Sequence, residues 1–156
     1  MTNRTGCFGC WDFAALPSLH LRFVPWQDRS EMFEVEQNTE LLVCVKCRRG
    51  TEALEGETRP GQLLFDRLSN VGIPDGVTVR AVECLSNCSQ GCSVALRGGA
   101  AKWTYIYGNL HEVDHVLTLT EGALAYHATA DGLVPWRERP EHFRKNCIAR
   151  IPPMES

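Results

Sequence analysis

Eight cysteines stand in this chain, and their spacing is the first sign of chemistry. Cys7 and Cys10 form one CxxC pair, and Cys44 and Cys47 form another. Cys84, Cys88 and Cys92 follow as C-x3-C-x3-C, while Cys147 stands alone. Grouped sulfurs serve disulfides, thiol redox chemistry or metal binding. Arg4 near the N-terminus is followed by no apolar run, because Gly6, Gly9, Asp12, Pro17 and His20 interrupt residues 1–21. That stretch does not read as a secretory signal. A cytoplasmic location is therefore expected, where thiols stay reduced and clustered cysteines more often hold metal or do redox work.

For sulfurs so far apart in sequence to meet, particular elements must carry them. Residues 41–45 (Leu41, Leu42, Val43, Cys44, Val45) form a short apolar run with the character of a buried strand. A helix is expected from Pro60, with Leu64, Leu68 and Val71 inward and Gly72 ending it. Val77, Val79 and Ala81 alternate with Thr78 and Arg80 to give a second strand with one polar side. After the cysteine loop, residues 93–96 and 102–107 read as a hairpin turning at Arg97, Gly98 and Gly99. Asn109 is a plausible N-cap for a last helix, with Val113, Val116, Leu117 and Leu124 on its inner face. The order is β-α-β-β-β-α, that of a thioredoxin-like domain: an α/β, ferredoxin-type fold with a mixed four-stranded sheet and flanking helices. The first two strands need a helical crossover and so should run parallel. Both cysteine loops then leave the same sheet edge. Residues 1–38 read as an extension of uncertain order, 39–130 as the metal-binding domain, and 131–156 as an Arg- and Pro-rich tail packed over it.

Four thiolates suit an iron–sulfur cluster or a structural zinc. Zinc sites with four cysteines usually take both pairs as CxxC. The looser C-x3-C-x3-C spacing favours a wider cluster. Gly91 and the small residues Ser86, Asn87 and Ser89 let backbone amides approach the sulfurs, which tunes a cluster. The candidate ligands are Cys44, Cys47, Cys84 and Cys88, with Cys92 as a fifth whose part is open. Zinc, or a thiol–disulfide oxidoreductase using Cys44 and Cys47, are the alternatives. Residues 82–88 (Val82, Glu83, Cys84, Leu85, Ser86, Asn87, Cys88) resemble the second half-site of thioredoxin-like 2Fe–2S ferredoxins and of the small iron–sulfur subunit of respiratory complex I. Those proteins often space the first pair more widely than Cys44 and Cys47, and tend to lack a cysteine at the place of Cys92. Residues 40–153 also resemble a bacterial family of uncharacterised, predicted metal-binding proteins. The cysteine groups carry that likeness, together with the tail residues 136–141 (Trp136 to Glu141) and 149–153 (Ala149 to Pro153). The resemblance implies metal binding and supplies no reaction.

Other signals compete. Residues 111–115 match HExxH, the zinc-protease helix motif, with His111 and His115 as ligands and Glu112 as base. The bland alternative is a polar first helical turn in which Glu112 and Asp114 suit the helix dipole. Lys46, Arg48 and Arg49 beside the CxxC would offset thiolate charge. His20, His127 and His142 show no partner spacing. The formal net charge of −3 argues against a nucleic-acid partner, and no apolar run is long enough to span a membrane. An electron carrier or metal-binding protein is expected rather than an enzyme. Its partner would be a redox or metal-handling protein, and a homodimer is possible through the ferredoxin likeness.

Overall fold

The structure is a computed structural model, and it describes residues 38–154 apart from 51 and 53–55. Cys7, Cys10 and the extension before Asn38 lie outside the described residues. The elements are β1 (Thr39–Cys44), α1 (Pro60–Asn70), β2 (Val77–Val82), β3 (Cys92–Arg97), β4 (Thr104–Leu110), α2 (Val116–His127), α3 (Glu141–Lys145) and β5 (Cys147–Ile151). They build a mixed five-stranded sheet in the order β2-β1-β3-β4-β5. β1 and β2 run parallel across the α1 crossover, Thr39 opposite Val77 and Cys44 opposite Val82. β3 lies antiparallel to β1, and β4 to β3.

A four-stranded sheet was expected, and the described residues form five strands. The fifth comes from the tail, which was expected to lie over the surface. β5 pairs antiparallel with β4, Tyr105 opposite Arg150 and Ile106 opposite Ala149. β4 would otherwise be an edge strand with open ladder groups. Just before β5, Phe143 of α3 stacks on Tyr107 with ring centroids 3.9 Å apart. It fits because Gly122 of α2 has no side chain: a Cβ there would lie 2.2 Å from the Phe143 ring.

The core unites Leu41 and Val43 of β1, Leu64 and Leu68 of α1, Val94 and Leu96 of β3, Tyr105 and Tyr107 of β4, and Leu119 and Tyr126 of α2. Each such side chain contributes roughly 1.5–3 kcal/mol by leaving water. Val71 is not among them. It follows the last residue of α1 and is half-exposed, while Gly72 beyond it takes the left-handed φ of +74° that ends the helix.

The second helix starts at Val116, later than the Asn109 cap predicted. Asn109 belongs to β4, at a φ of +52°, and its N–H donates to Gln90 O at 2.6 Å. The inward face is correspondingly Val116, Leu119, Gly122, Ala123 and Tyr126. Val113, Leu117 and Leu124 are exposed. Among the described residues no helix is long and apolar enough to cross a membrane.

Candidate functional site

β1 ends at Cys44 and β2 at Val82, side by side in register. The pairing runs on past both strand ends: Val45 N–H donates to Val82 O at 2.9 Å and Lys46 N–H to Glu83 O at 3.3 Å. The loop carrying Cys47 and the loop carrying Cys84 and Cys88 are thereby zipped together at their roots. Gly50 N–H donates to Cys88 O at 3.1 Å and ties them again further out. Cys92 enters from the opposite end of the second loop, as the first residue of β3.

The five sulfurs interact as two groups. Cys84 lies near enough to Cys88 and Cys44, and Cys47 near enough to Cys92, for the neighbours to shift their acidity. Electrostatic repulsion between Cys44 and both Cys47 and Cys84 joins the groups. Cys44, Cys47 and Cys92 are buried, whereas Cys84 and Cys88 are exposed. Among the described residues no three His, Cys, Asp or Glu side chains are already gathered around one point that a metal ion would fill. Two of the thiols donate to backbone carbonyls instead, Cys44 Sγ–H to Glu83 O at 3.7 Å and Cys47 Sγ–H to Gly91 O at 3.0 Å.

Each sulfur's acidity follows from its surroundings. Burial pushes the Cys44 thiol up, against the Leu85 backbone N–H, which favours the thiolate. Neighbouring Cys92 holds the Cys47 thiol below its ordinary value against the cost of its burial, with help from the Arg49 backbone N–H and charge. Cys47 in turn, with burial, pushes Cys92 up. As a thiol, Cys47 would donate to Gly91 O, 3.0 Å away. At Cys84 the Ser86 N–H lowers the thiol.

Two of the sulfurs receive backbone hydrogen bonds in the same way. Arg49 N–H donates to Cys47 Sγ at 3.4 Å, and Ser86 N–H donates to Cys84 Sγ at 3.2 Å. In each case the donor lies two residues after the cysteine and has a left-handed φ, +53° at Arg49 and +56° at Ser86. Such a backbone is costly for residues other than glycine. Two tight turns therefore aim amide protons at sulfur.

α1 also reaches the site. Gly61, its second residue, donates its N–H to Cys47 O at 3.3 Å, and a Cβ there would lie 2.1 Å from Cys44 O. The first turn of α1 carries no acidic residue, so no carboxylate within that turn offsets the positive end of the helix beside the CxxC loop. A sequence reading finds no helix next to Cys47, because a polar loop intervenes. Gly61 was missed for the same reason, and its one signal is a glycine directly after a helix-starting proline.

The HExxH residues do not form the protease arrangement. His111 through His115 precede α2 as a turn, so the two histidines do not share a helix face. His115 Nδ1 accepts from the His111 N–H at 2.8 Å, and the His115 ring packs on His142, centroids 4.1 Å apart. Glu112 instead pairs with Arg49, Nη1 to Oε2 3.2 Å. Cys147 is exposed on β5, outside the cluster. His142 Nε2–H donates to Gly108 O at 2.9 Å, and His127 Nδ1 meets Thr39 Oγ1 at 3.1 Å, so both are structural.

The donor chemistry fits a group that binds thiolates. Five cysteines stand at the adjoining ends of β1, β2 and β3, amide protons are aimed at two of their sulfurs, and the N-terminus of α1 adjoins the Cys47 loop. One protein family, described as a protein of unknown function (DUF1636), matches the chain over residues 41–153. No curated protein and no solved structure matches it.

Proposed function

We propose, for a chain that belongs to the DUF1636 family of unknown function, that it is a metal-binding protein carrying an iron–sulfur cluster of the 2Fe–2S type. Cys44, Cys47, Cys84 and Cys88 would hold the cluster, and the role would be electron transfer or iron–sulfur handling. The reading rests on one observation: at the end of a parallel strand pair, the loop carrying Cys47 and the loop carrying Cys84 and Cys88 are joined by the Val45–Val82, Lys46–Glu83 and Gly50–Cys88 backbone hydrogen bonds. When bound, such a group supplies a one-electron couple. The chain's own part is to hold four thiolates, to direct the Arg49 and Ser86 N–H groups at Cys47 and Cys84, and to bury Cys44 and Cys47 from water. Cys84 and Cys88, being exposed, mark the side from which a redox or metal-handling partner in the cytoplasm would approach. Cys92 would stay behind Cys47 as a fifth sulfur. On this reading β1 to α2 form a thioredoxin-like core to which α3 and β5 are added, and a homodimer would follow the ferredoxin likeness. Structural zinc on the same four cysteines is the alternative that shares this geometry.

A second reading has an observation of its own. Cys47, held below its ordinary value by neighbouring Cys92, has the pairing of a reactive dithiol. Its weakness is access: Cys47 is 1% exposed and Cys92 fully buried, so a substrate disulfide has no path to either sulfur.

The test is anaerobic purification followed by a visible spectrum with iron, zinc and sulfide analysis. About two irons and two sulfides per chain, with visible bands, support the cluster. Serine at Cys44, Cys47, Cys84 or Cys88 should then abolish those bands, and serine at Cys92 should spare them. A colourless protein with about one zinc selects the zinc module. A metal-free protein that cycles between dithiol and disulfide selects the second reading.

A further inference from the structure

The HExxH stretch was left without a role by the cysteine chemistry, and its central carboxylate faces that chemistry. Glu112 is only 13% exposed at its side chain and meets the Arg49 guanidinium at 3.2 Å. Its backbone oxygen accepts from Arg67 Nη1 of α1 at 2.9 Å, which fixes it from a second side. Arg49 is the residue whose N–H reaches Cys47 Sγ, from a left-handed backbone that needs outside support. The next residue, Gly50, ties the same turn to Cys88 O.

We propose that Glu112 is a positioning residue of the cysteine site and acts through Arg49. This rests on the reading of Cys47 as a metal ligand. The ion pair pins the turn after Cys47 to the connection between β4 and α2. It holds the Arg49 N–H on the sulfur in a conformation an arginine would otherwise leave. It also keeps the guanidinium beside the thiolates instead of in solvent. Outer partners of this kind orient ligands, and their loss commonly costs 10- to 100-fold in metal affinity.

The experiment is a cobalt(II) titration of the metal-free full chain, followed through the sulfur-to-cobalt charge-transfer band. Glu112→Gln and Arg49→Met should each weaken cobalt binding about tenfold. The double variant should be no weaker than Arg49→Met alone, since the two residues act as one. The band should also move to longer wavelength in both, because a thiolate that loses an N–H donor holds its electrons less tightly. General loosening of the fold would lower affinity without moving the band. Asp114→Asn, which removes an exposed carboxylate from the same turn, should bind cobalt as the wild type does. Unchanged affinity in Glu112→Gln, or additive losses in the double variant, overturns the proposal. Failure of the cluster reading shows elsewhere: wild-type protein would lack iron and sulfide yet still bind cobalt through its thiolates.

Discussion

Substituting Gly61 by alanine tests whether α1 is built against the cysteine loop. In a free helix the change helps, by about 0.5–1 kcal/mol, because alanine loses less backbone entropy. Here the new methyl would sit 2.1 Å from Cys44 O, 3.0 Å from Cys47 Cβ and 3.1 Å from Cys47 N. The first distance is more than about 1 Å short of an ordinary C···O contact. Two of the three atoms are backbone, held by the Val45–Val82 hydrogen bond and by the Gly61–Cys47 bond itself. They cannot rotate away, so α1 or the loop must retreat. Overpacking of this kind typically costs 1–3 kcal/mol. After the propensity gain, a net loss of about 1.5 kcal/mol remains, roughly 6 °C in Tm for a domain of this size. Thermal unfolding by circular dichroism reads the stability, and metal content per chain reads the site. Gly72→Ala is the control. It sits at the far end of α1 with nothing within 4 Å of its Cβ but at a φ of +74°, so it should lose about 1 kcal/mol to strain alone and retain its metal. A Gly61→Ala protein as stable as the wild type would show that α1 is not wedged against the cysteines, and the account of that glycine would fall.

Two further outcomes are expected. Phe143→Ala empties the space between Tyr107 and Gly122 and should cost about 3–4 kcal/mol, with amide exchange rising first along β5, whose approach depends on α3; protection of β5 equal to wild type would separate the two. His115 is held below its ordinary value by burial first and by nearby His142 and His111, with Asp114 opposing. A histidine lowered in the fold leaves stability untouched above about pH 6.5, the unfolded value, and costs stability as acidification lets the unfolded chain take up the proton first. The Tm loss between pH 7.5 and 5.5 should therefore be smaller in His115→Gln, and an unchanged slope would refute the assignment.

The parts of the fold that were legible in the sequence are those whose cause is local. Residues 41–45 announce a buried strand by composition, and Pro60 and Gly72 bracket α1 by backbone preference. The parallel β1–β2 pair follows because a crossover helix allows little else. What was hidden depends on partners far along the chain. Cys147–Ile151 is a short run between prolines, and only β4 makes it a strand. Asn109 carries a helix-capping side chain but sits in a left-handed strand position set by Gln90. α2 is apolar on nearly all sides, so periodicity could not choose Leu119 over Leu117 as the inward residue. The site divides in the same way. Cysteine spacing singled out the candidate sulfurs, while the helix contact at Gly61 and the Arg49–Glu112 pair exist only after folding.

The parallel join between β1 and β2 also sets the order in which the site can come into being. A hairpin can form by itself, but a parallel pair waits for its crossover to be paid in loop entropy. The hydrogen bonds that root the two cysteine loops form only after that closure, and β3, which brings Cys92, must dock beside the same β1. On the metal-binding proposal, the unfolded chain offers an arriving metal scattered thiols with no backbone donors, and tight capture would follow folding of the sheet. Metal added during refolding should act as a competitor for stray cysteines, and metal added afterwards as a guest. Yield of loaded protein should consequently depend on the moment of addition.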